Sequence, residues 1–218
     1  MKKAIVNCPD LVLSPVVVKK DREIINLDLG VTLGSYSPSD FFKHVKVFPT
    51  MPQLLYKREI IEQNHLRFDS KLAVGEVYDF TISFLAKAKN ISVVSDVYFY
   101  YVMRDSSATH YPNFTKDMTV IETLKSYYSK GAEFVQYPSF NATAFKMLMS
   151  FTYNKYAKLH LESKDVADIL SLLLGNQIVK YCIDSVAGCS SSPIKERLLA
   201  LYVKYTGVKG YKLLSKVI

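Results

Sequence analysis

Tryptophan is absent from this 218-residue chain, cysteine occurs three times, and glycine and proline eight times each. Cys8, Cys182 and Cys189 cannot all pair within one chain, and none stands in a Cys-x-x-Cys or zinc-type spacing. That excludes a disulfide scaffold and a zinc module, and leaves reduced thiols of a cytosolic protein as the expectation. No apolar run approaches the roughly 18 residues that a membrane-crossing helix needs. Met1-Lys2-Lys3 starts like a signal peptide, yet only Ala4-Ile5-Val6 follows before Asn7, Pro9 and Asp10 interrupt, so export is not expected. The chain also lacks a glycine-rich phosphate loop, a Gly-x-Ser-x-Gly elbow and a His-Glu-x-x-His motif. P-loop and common hydrolase chemistries therefore recede. His44, His65 and His160 are dispersed, with no ligand-type spacing.

What is present describes a folded protein. Hydrophobic residues make up 49% and charged residues 22%, which excludes a disordered chain and supplies a sizeable core. Lys and Arg total 28 against 20 Asp and Glu, a net charge of +8 that favours anionic partners. Residues 1 to 110 carry 14 basic and 12 acidic side chains, and residues 111 to 218 carry 14 and 8, so the excess lies in the second part.

The hydropathy pattern places elements along the chain. Val16-Val17-Val18 and Ile24-Ile25 flank a polar stretch and predict a hairpin with a loop longer than the tightest turns. Ser37 is placed to cap a short helix with Pro38 at its first position. Tyr56 to Asn64 reads as a second short helix. Gly75 opens a third, in which Val77, Phe80, Phe84, Leu85 and Ala88 share one face. Ile91 to Met103, rich in Val, Tyr and Phe, reads as one strand or two short ones. Beyond His110 the segments 115 to 135, 140 to 160, 163 to 182 and 193 to 205 predict helices, with Asn141, Ser163 and Ser192 as N-caps and Pro193 in a first turn. The expected fold class is α+β: a small sheet with short helices over residues 1 to 112, and a helical, bundle-like region over 113 to 218.

Two clusters carry chemistry. Glu76 and Asp79 stand three residues apart in the first turn of the third helix; they either stabilise the positive end of its dipole or present an acid or base to a substrate. Arg104-Asp105-Ser106-Ser107-Ala108-Thr109-His110 gathers a guanidinium, an imidazole and three hydroxyls directly after a strand. Such a segment either binds phosphate oxygens or forms a polar surface turn. Tyr127, Tyr128, Tyr153 and Tyr156 fall at helical spacing among apolar residues and fit a core with hydroxyls reaching water better than a base-stacking platform; nucleic acid is not an expected partner. Residues 198 to 218 set Lys204, Lys209, Lys212 and Lys216 among Leu, Tyr and Val, a pattern that serves either as a solvated helix face or as a contact for an anionic membrane surface.

Read in order, several stretches resemble the later half of bacterial family 2 glycosyltransferases, inverting enzymes of the GT-A fold. Leu54-Leu55-Tyr56-Lys57-Arg58-Glu59-Ile60-Ile61 through Leu66-Arg67-Phe68 is similar to that family's K-L-Y-R-R-E and I-R-F segment. Gly75-Glu76-Val77-Tyr78-Asp79-Phe80 followed by Leu85-Ala86-Lys87-Ala88 is similar to its G-E-D-x-x-F and L-x-K-A. Val97-Tyr98-Phe99-Tyr100-Tyr101 and Arg104 to His110 resemble P-L-Y-x-Y and R-x-x-S-I-T-H. The resemblance implies transfer of a sugar from a nucleotide sugar to the hydroxyl of a glycan or lipid-linked acceptor in surface polysaccharide assembly, at the cytoplasmic face of the membrane.

The departures are equally specific. The family's nucleotide-binding half, which ends in an Asp-x-Asp motif, has no counterpart here; no Asp in the chain begins Asp-x-Asp. Val77 occupies the position of the usual catalytic base. The expected candidates are then Glu76 and Asp79 for catalysis and Arg104, Ser107, Thr109 and His110 for the donor, with no metal ligand in this chain. Mn²⁺ or Mg²⁺ is expected only together with a nucleotide-binding half. The sequence thus reads as a truncated or degenerate transferase, inactive in isolation, or alternatively as a non-catalytic partner that binds glycan or another transferase chain.

Overall fold

A computed structural model describes residues 8–20, 23–27, 30–46, 53–95, 99–102, 113–158 and 164–214. The fold is mixed α+β. Among the described residues seven short strands form two sheets: β1 (Leu11–Leu13), β2 (Val16–Lys20), β3 (Glu23–Leu27), β4 (Gly34–Tyr36), β5 (Leu54–Tyr56), β6 (Ile91–Val93) and β7 (Phe99–Val102). The first sheet has the order β4-β6-β1-β5 and the second β3-β2-β7. β1 and β6 run parallel with Leu11 opposite Ile91, while β5 and β4 close the edges antiparallel. Only Ser14 and Pro15 separate β1 from β2, so the second sheet continues past the end of the first, and β7 pairs in parallel with β2.

The expected hairpin is formed, but tighter than its composition implied: β2 and β3 pair as far as Lys20 opposite Glu23, leaving two residues between them. Cross-strand pairing extends β-structure through Lys19, Lys20 and Glu23, because a ladder satisfies the backbone of polar residues as well as apolar ones. Of the stretch expected as one strand or two short ones, Ile91–Val93 joins the first sheet and Phe99–Val102 the second. Leu54–Tyr56, whose last residue was expected to open a helix, is the edge strand β5, and the helix α2 covers only Arg58–Gln63.

Of the remaining helices, α1 (Pro38–His44) begins as expected, with the Ser37 hydroxyl accepting from the Asp40 backbone N–H at 3.1 Å. α3 spans Glu76–Leu85. Its buried surface is broader than one stripe: Tyr78, Asp79, Thr81 and Ile82 are buried as well as Phe80, Phe84 and Leu85, while Val77 is only half-buried. The reason is that α3 is sandwiched, with β5 on one side through Tyr56 against Phe80 and Phe84, and the later helices on the other.

Those later helices are α4 (Phe114–Asp117), α5 (Val120–Lys130), α6 (Pro138–Phe151), α7 (Tyr153–Lys158), α8 (Lys164–Gly175), α9 (Gln177–Ala187) and α10 (Ile194–Leu214). They are more finely divided than the hydropathy pattern predicts. Thr152, at φ −128° and ψ −92°, separates α6 from α7. Asn176 leaves the helical region and its side chain accepts from the Ile178 N–H, so it caps α9. α6 starts at Pro138, after Tyr137; Asn141 lies inside the helix and donates from Nδ2 to the carbonyls of Val135 and Tyr137 instead of capping. Ser192 does not cap α10 through its hydroxyl, which is buried without a partner among the described residues. Ser163 lies outside the described residues. α10 is broken at Gly207, where φ is 52° and ψ −136°.

One apolar core runs through both parts of the chain. Phe42 of α1 lies 4.8 Å from Phe134 and 5.7 Å from Phe140 between ring centroids, and Tyr127 stacks on Phe140 at 4.4 Å. Gly131 is required here: a Cβ would lie 2.5 Å from the Phe140 ring and 2.8 Å from Ile82. Of the four tyrosine hydroxyls expected to reach water, three are instead bonded internally, Tyr127 to the Phe140 carbonyl, Tyr153 to that of Gly207 and Tyr156 to Asp117, and that of Tyr128 is buried without a hydrogen-bond partner among the described residues. Among the described residues no single helix is long and apolar enough to cross a membrane. α8 and α9 together reach such a length but meet at 74°, and both bury residues in the core.

Candidate functional site

The start of α3 lies at the end of the first sheet where β1 and β6 finish. α3 ends just before β6 begins, and at that junction Asp10, preceding β1, accepts from the backbone N–H of Lys89 at 2.7 Å. Tyr56, opposite Leu11 at the start of β1, reaches Thr81 in mid-helix with an O–O distance of 2.7 Å. Ten residues of helix cover about 15 Å, which carries Gly75, Glu76 and Val77 back toward the strands' other end. In open sheets with parallel strands that carboxyl end is where ligands bind.

The approach to this helix start is held by α5. The Thr119 hydroxyl accepts from the N–H groups of Ala73 and Val74 at 3.1 and 3.3 Å, and the Thr123 hydroxyl donates to the Val74 carbonyl at 2.6 Å. Gly75 then turns the chain with φ +76°, in the left-handed region. A Cβ there would lie 2.7 Å from Met147 Sδ and 2.8 Å from Thr123 Cγ2. A residue with no side chain is thus needed twice over, for backbone angle and for the close approach of α5 and α6.

The two candidate carboxylates are separated by their surroundings. Glu76 is half-buried at the helix start. Asp79 is 1% exposed, and its Oδ2 accepts from Lys130 Nζ at 2.7 Å. Its Oδ1 is buried without a hydrogen-bond partner among the described residues. Asp79 therefore faces the α3–α5 packing, although three residues along the helix place it beside Glu76 by spacing alone. Half-buried Val77 has no group that accepts a proton.

Arg104, Ser107, Thr109 and His110 lie outside the described residues. The chain that follows them is anchored strongly. Asn113 caps α4, its Oδ1 accepting from the Lys116 N–H, and its own N–H donates to Asp117. The Asp117 carboxylate also accepts from Lys155 Nζ at 2.9 and 3.1 Å and from the Tyr156 hydroxyl at 3.1 Å. With 8% exposure for Lys155 and 2% for Asp117, this is a buried ion pair with its remaining acceptor sites filled. Sequence reasoning missed Thr119, Thr123, Lys130 and Lys155, because partners 38 to 51 residues apart leave no periodic trace.

Among the described residues no three His, Cys, Asp or Glu side chains converge. A groove of about 830 Å³ lies elsewhere, between the end of α1 and the starts of α6 and α10.

No family model and no curated protein matches this chain by sequence. Its three-dimensional structure does match. S. aureus TarS 1–349 in complex with UDP-GlcNAc aligns with 99% of this chain at a TM-score of 0.61 and 15% identity, and the TarS complex with UDP aligns with 99% at 0.56 and 15%. TarS is a glycosyltransferase.

The fold is glycosyltransferase-like. This chain spans 61% and 60% of the two TarS chains that it matches.

Proposed function

We propose that this chain is the acceptor-side portion of an inverting, GT-A-type family 2 glycosyltransferase of bacterial glycan assembly, working with a nucleotide-binding half. The observation that carries this reading is positional. The segment Gly75 to Phe80, which resembles the family's base-bearing motif, forms a braced helix start at the carboxyl end of the parallel strands, in a chain whose whole length aligns with a sugar-nucleotide-bound transferase.

In this reading a nucleotide sugar is attacked at its anomeric carbon by an acceptor hydroxyl, and a carboxylate takes the hydroxyl proton as the bond forms. General-base assistance of this kind is worth roughly 10²–10⁴-fold in rate. Glu76 is the residue best placed to take that proton, since it stands beside the base position, on the rigid turn set by Gly75, and is partly accessible. Asp79 is a positioning group that ties α3 to α5 through Lys130. The Arg104 to His110 segment supplies donors to the leaving diphosphate, and the chain beyond it is held by Asp117.

A second reading is favoured by one specific observation: Val77 fills the base position and Asp79 is engaged, so the chain serves as a non-catalytic glycan-binding or transferase-partner protein. Titration calorimetry of the full chain with UDP and UDP-GlcNAc, with and without Mn²⁺, combined with release of nucleoside diphosphate in the presence of glycan acceptors, separates the two. The chain alone is expected to release none. Activity should appear when a nucleotide-binding half is supplied and be lost in Glu76→Gln. Activity of that pair unaffected by Glu76→Gln would remove the residue from the mechanism, and no activity in any pairing would favour the second reading.

A further inference from the structure

The first three turns of α10 expose apolar side chains that a helix of a packed bundle ordinarily buries. Ile194 is 77% exposed, Leu198 61% and Tyr205 78%, with half-buried Leu201 between them. Their spacing of four, three and four residues puts all four within one narrow arc of the helix, and the opposite side, Ala200 and Val203, is 0% and 2% exposed. The result is a convex ridge about 16 Å long.

Within α10 itself, the charges beside this ridge have one sign. At about 100° per residue, Lys195 lies on one side of the arc and Arg197 and Lys204 on the other, while Glu196, the one acid between Ile194 and Tyr205, points away from it. Lys204 is exposed and pairs with Asp184 at 2.9 Å, and Arg197 Nε donates to the Ala187 carbonyl. The ridge runs directly into the 830 Å³ groove, which Ile194, Lys195 and the one acid Glu196 share with Lys43, His44 and Lys46. Lys43 is held by Asp40, whereas Lys46 and Lys195 have no ion pair among the described residues.

We infer that the Ile194–Tyr205 face of α10, with Lys46 and Lys195 at its rim, docks on an anionic lipid surface. An apolar stripe bordered by cations suits the boundary between headgroups and acyl chains, where aliphatic side chains enter, tyrosine sits at the interface and lysines meet phosphates. A second copy of this chain would set basic rims against each other, at a net charge of +8 per chain. The surface differs from the one that sequence places at residues 198 to 218. It begins earlier, and the break at Gly207 ends its phase, with Lys204 already partly neutralised by Asp184.

The test is sedimentation of the full chain with phosphatidylglycerol-containing vesicles and with pure phosphatidylcholine vesicles, at low and high salt. Binding is expected only to the anionic vesicles and should weaken with salt, since charges at such a surface are screened within about 8 Å at physiological ionic strength. Lys46→Gln with Lys195→Gln should weaken it about 25-fold, roughly fivefold for each charge lost. Ile194→Ser with Leu198→Ser and Tyr205→Ser should weaken it about tenfold or more, with an unchanged circular dichroism spectrum because all three positions are exposed. Tyr205→Trp introduces the chain's sole indole, whose fluorescence should be quenched by brominated lipid. Equal binding to neutral vesicles, unchanged binding of either variant, an unquenched indole, or self-association that the serine variant abolishes would overturn the proposal.

Discussion

Replacing Gly75 with alanine tests whether the start of α3 is braced by α5 as described. Two costs arise at this position. A non-glycine residue held at φ +76° loses about 1–2 kcal/mol to the clash of its Cβ with the backbone. That Cβ also meets Thr123 Cγ2 at 2.8 Å and Met147 Sδ at 2.7 Å. The methionine end can swing aside, but a β-branched side chain hydrogen-bonded to Val74 cannot, so overpacking adds about 1–3 kcal/mol. For 218 residues the unfolding entropy is roughly 0.46 kcal/mol/K. The combined loss of about 2–5 kcal/mol then lowers Tm by about 4–11 °C. Thr123→Ser isolates the steric part, because it removes Cγ2 and keeps the hydroxyl that donates to the Val74 carbonyl. Alone it costs about 1 kcal/mol for a buried methyl. Combined with Gly75→Ala it should be less harmful than the sum by about 1–2 kcal/mol, measured by thermal melts and urea unfolding of all four proteins. Additivity within about 0.5 kcal/mol would show that the two positions do not meet, and would refute the bracing argument.

Lys155→Met leaves the Asp117 carboxylate buried without its cation and should cost about 3–5 kcal/mol; adding Asp117→Asn should restore much of the loss, and urea midpoints that show no such recovery would contradict the buried pair. Stability should also fall at alkaline pH. Burial pushes the Cys182 thiol from 9.0 up to about 12 and raises the phenols of Tyr56, Tyr78, Tyr127 and Tyr128 above their ordinary 10.0. The unfolded chain sheds these protons at ordinary values while the native chain keeps them, so stability is complete below about pH 9 and declines above it, by about 1.4 kcal/mol per pH unit for each group passed. Urea midpoints followed from pH 8 to 11 should drop, and less steeply from pH 9 to 10 in Cys182→Ala; a flat profile would place these groups in water.

Local signals in the sequence were sufficient for the features that local chemistry controls. Ser37 before Pro38 starts a helix because a hydroxyl and a fixed φ act within one turn, and Gly75 opens α3 because the backbone angle there admits little else. The β-branched runs Val16-Val17-Val18 and Ile24-Ile25 around a polar stretch marked a hairpin, and the apolar periodicity beyond residue 113 marked helices. The site's frame was not legible in the same way. Asp79 and Glu76 look equivalent by spacing, and only the packing of α5 against α3 brings Lys130 onto one of them and leaves the other partly open. Asn141 has the composition of a cap, yet α6 begins earlier because Pro138 suits its first turn, and the amide finds carbonyls at Val135 and Tyr137. Ile91 to Met103 contained strand-forming residues throughout, but its division between two sheets depended on the offset between β1 and β2. Caps and turns are decided within a few residues along the chain, whereas ion pairs, strand partners and the exposed ridge of α10 depend on which surfaces meet when the whole chain closes around one core.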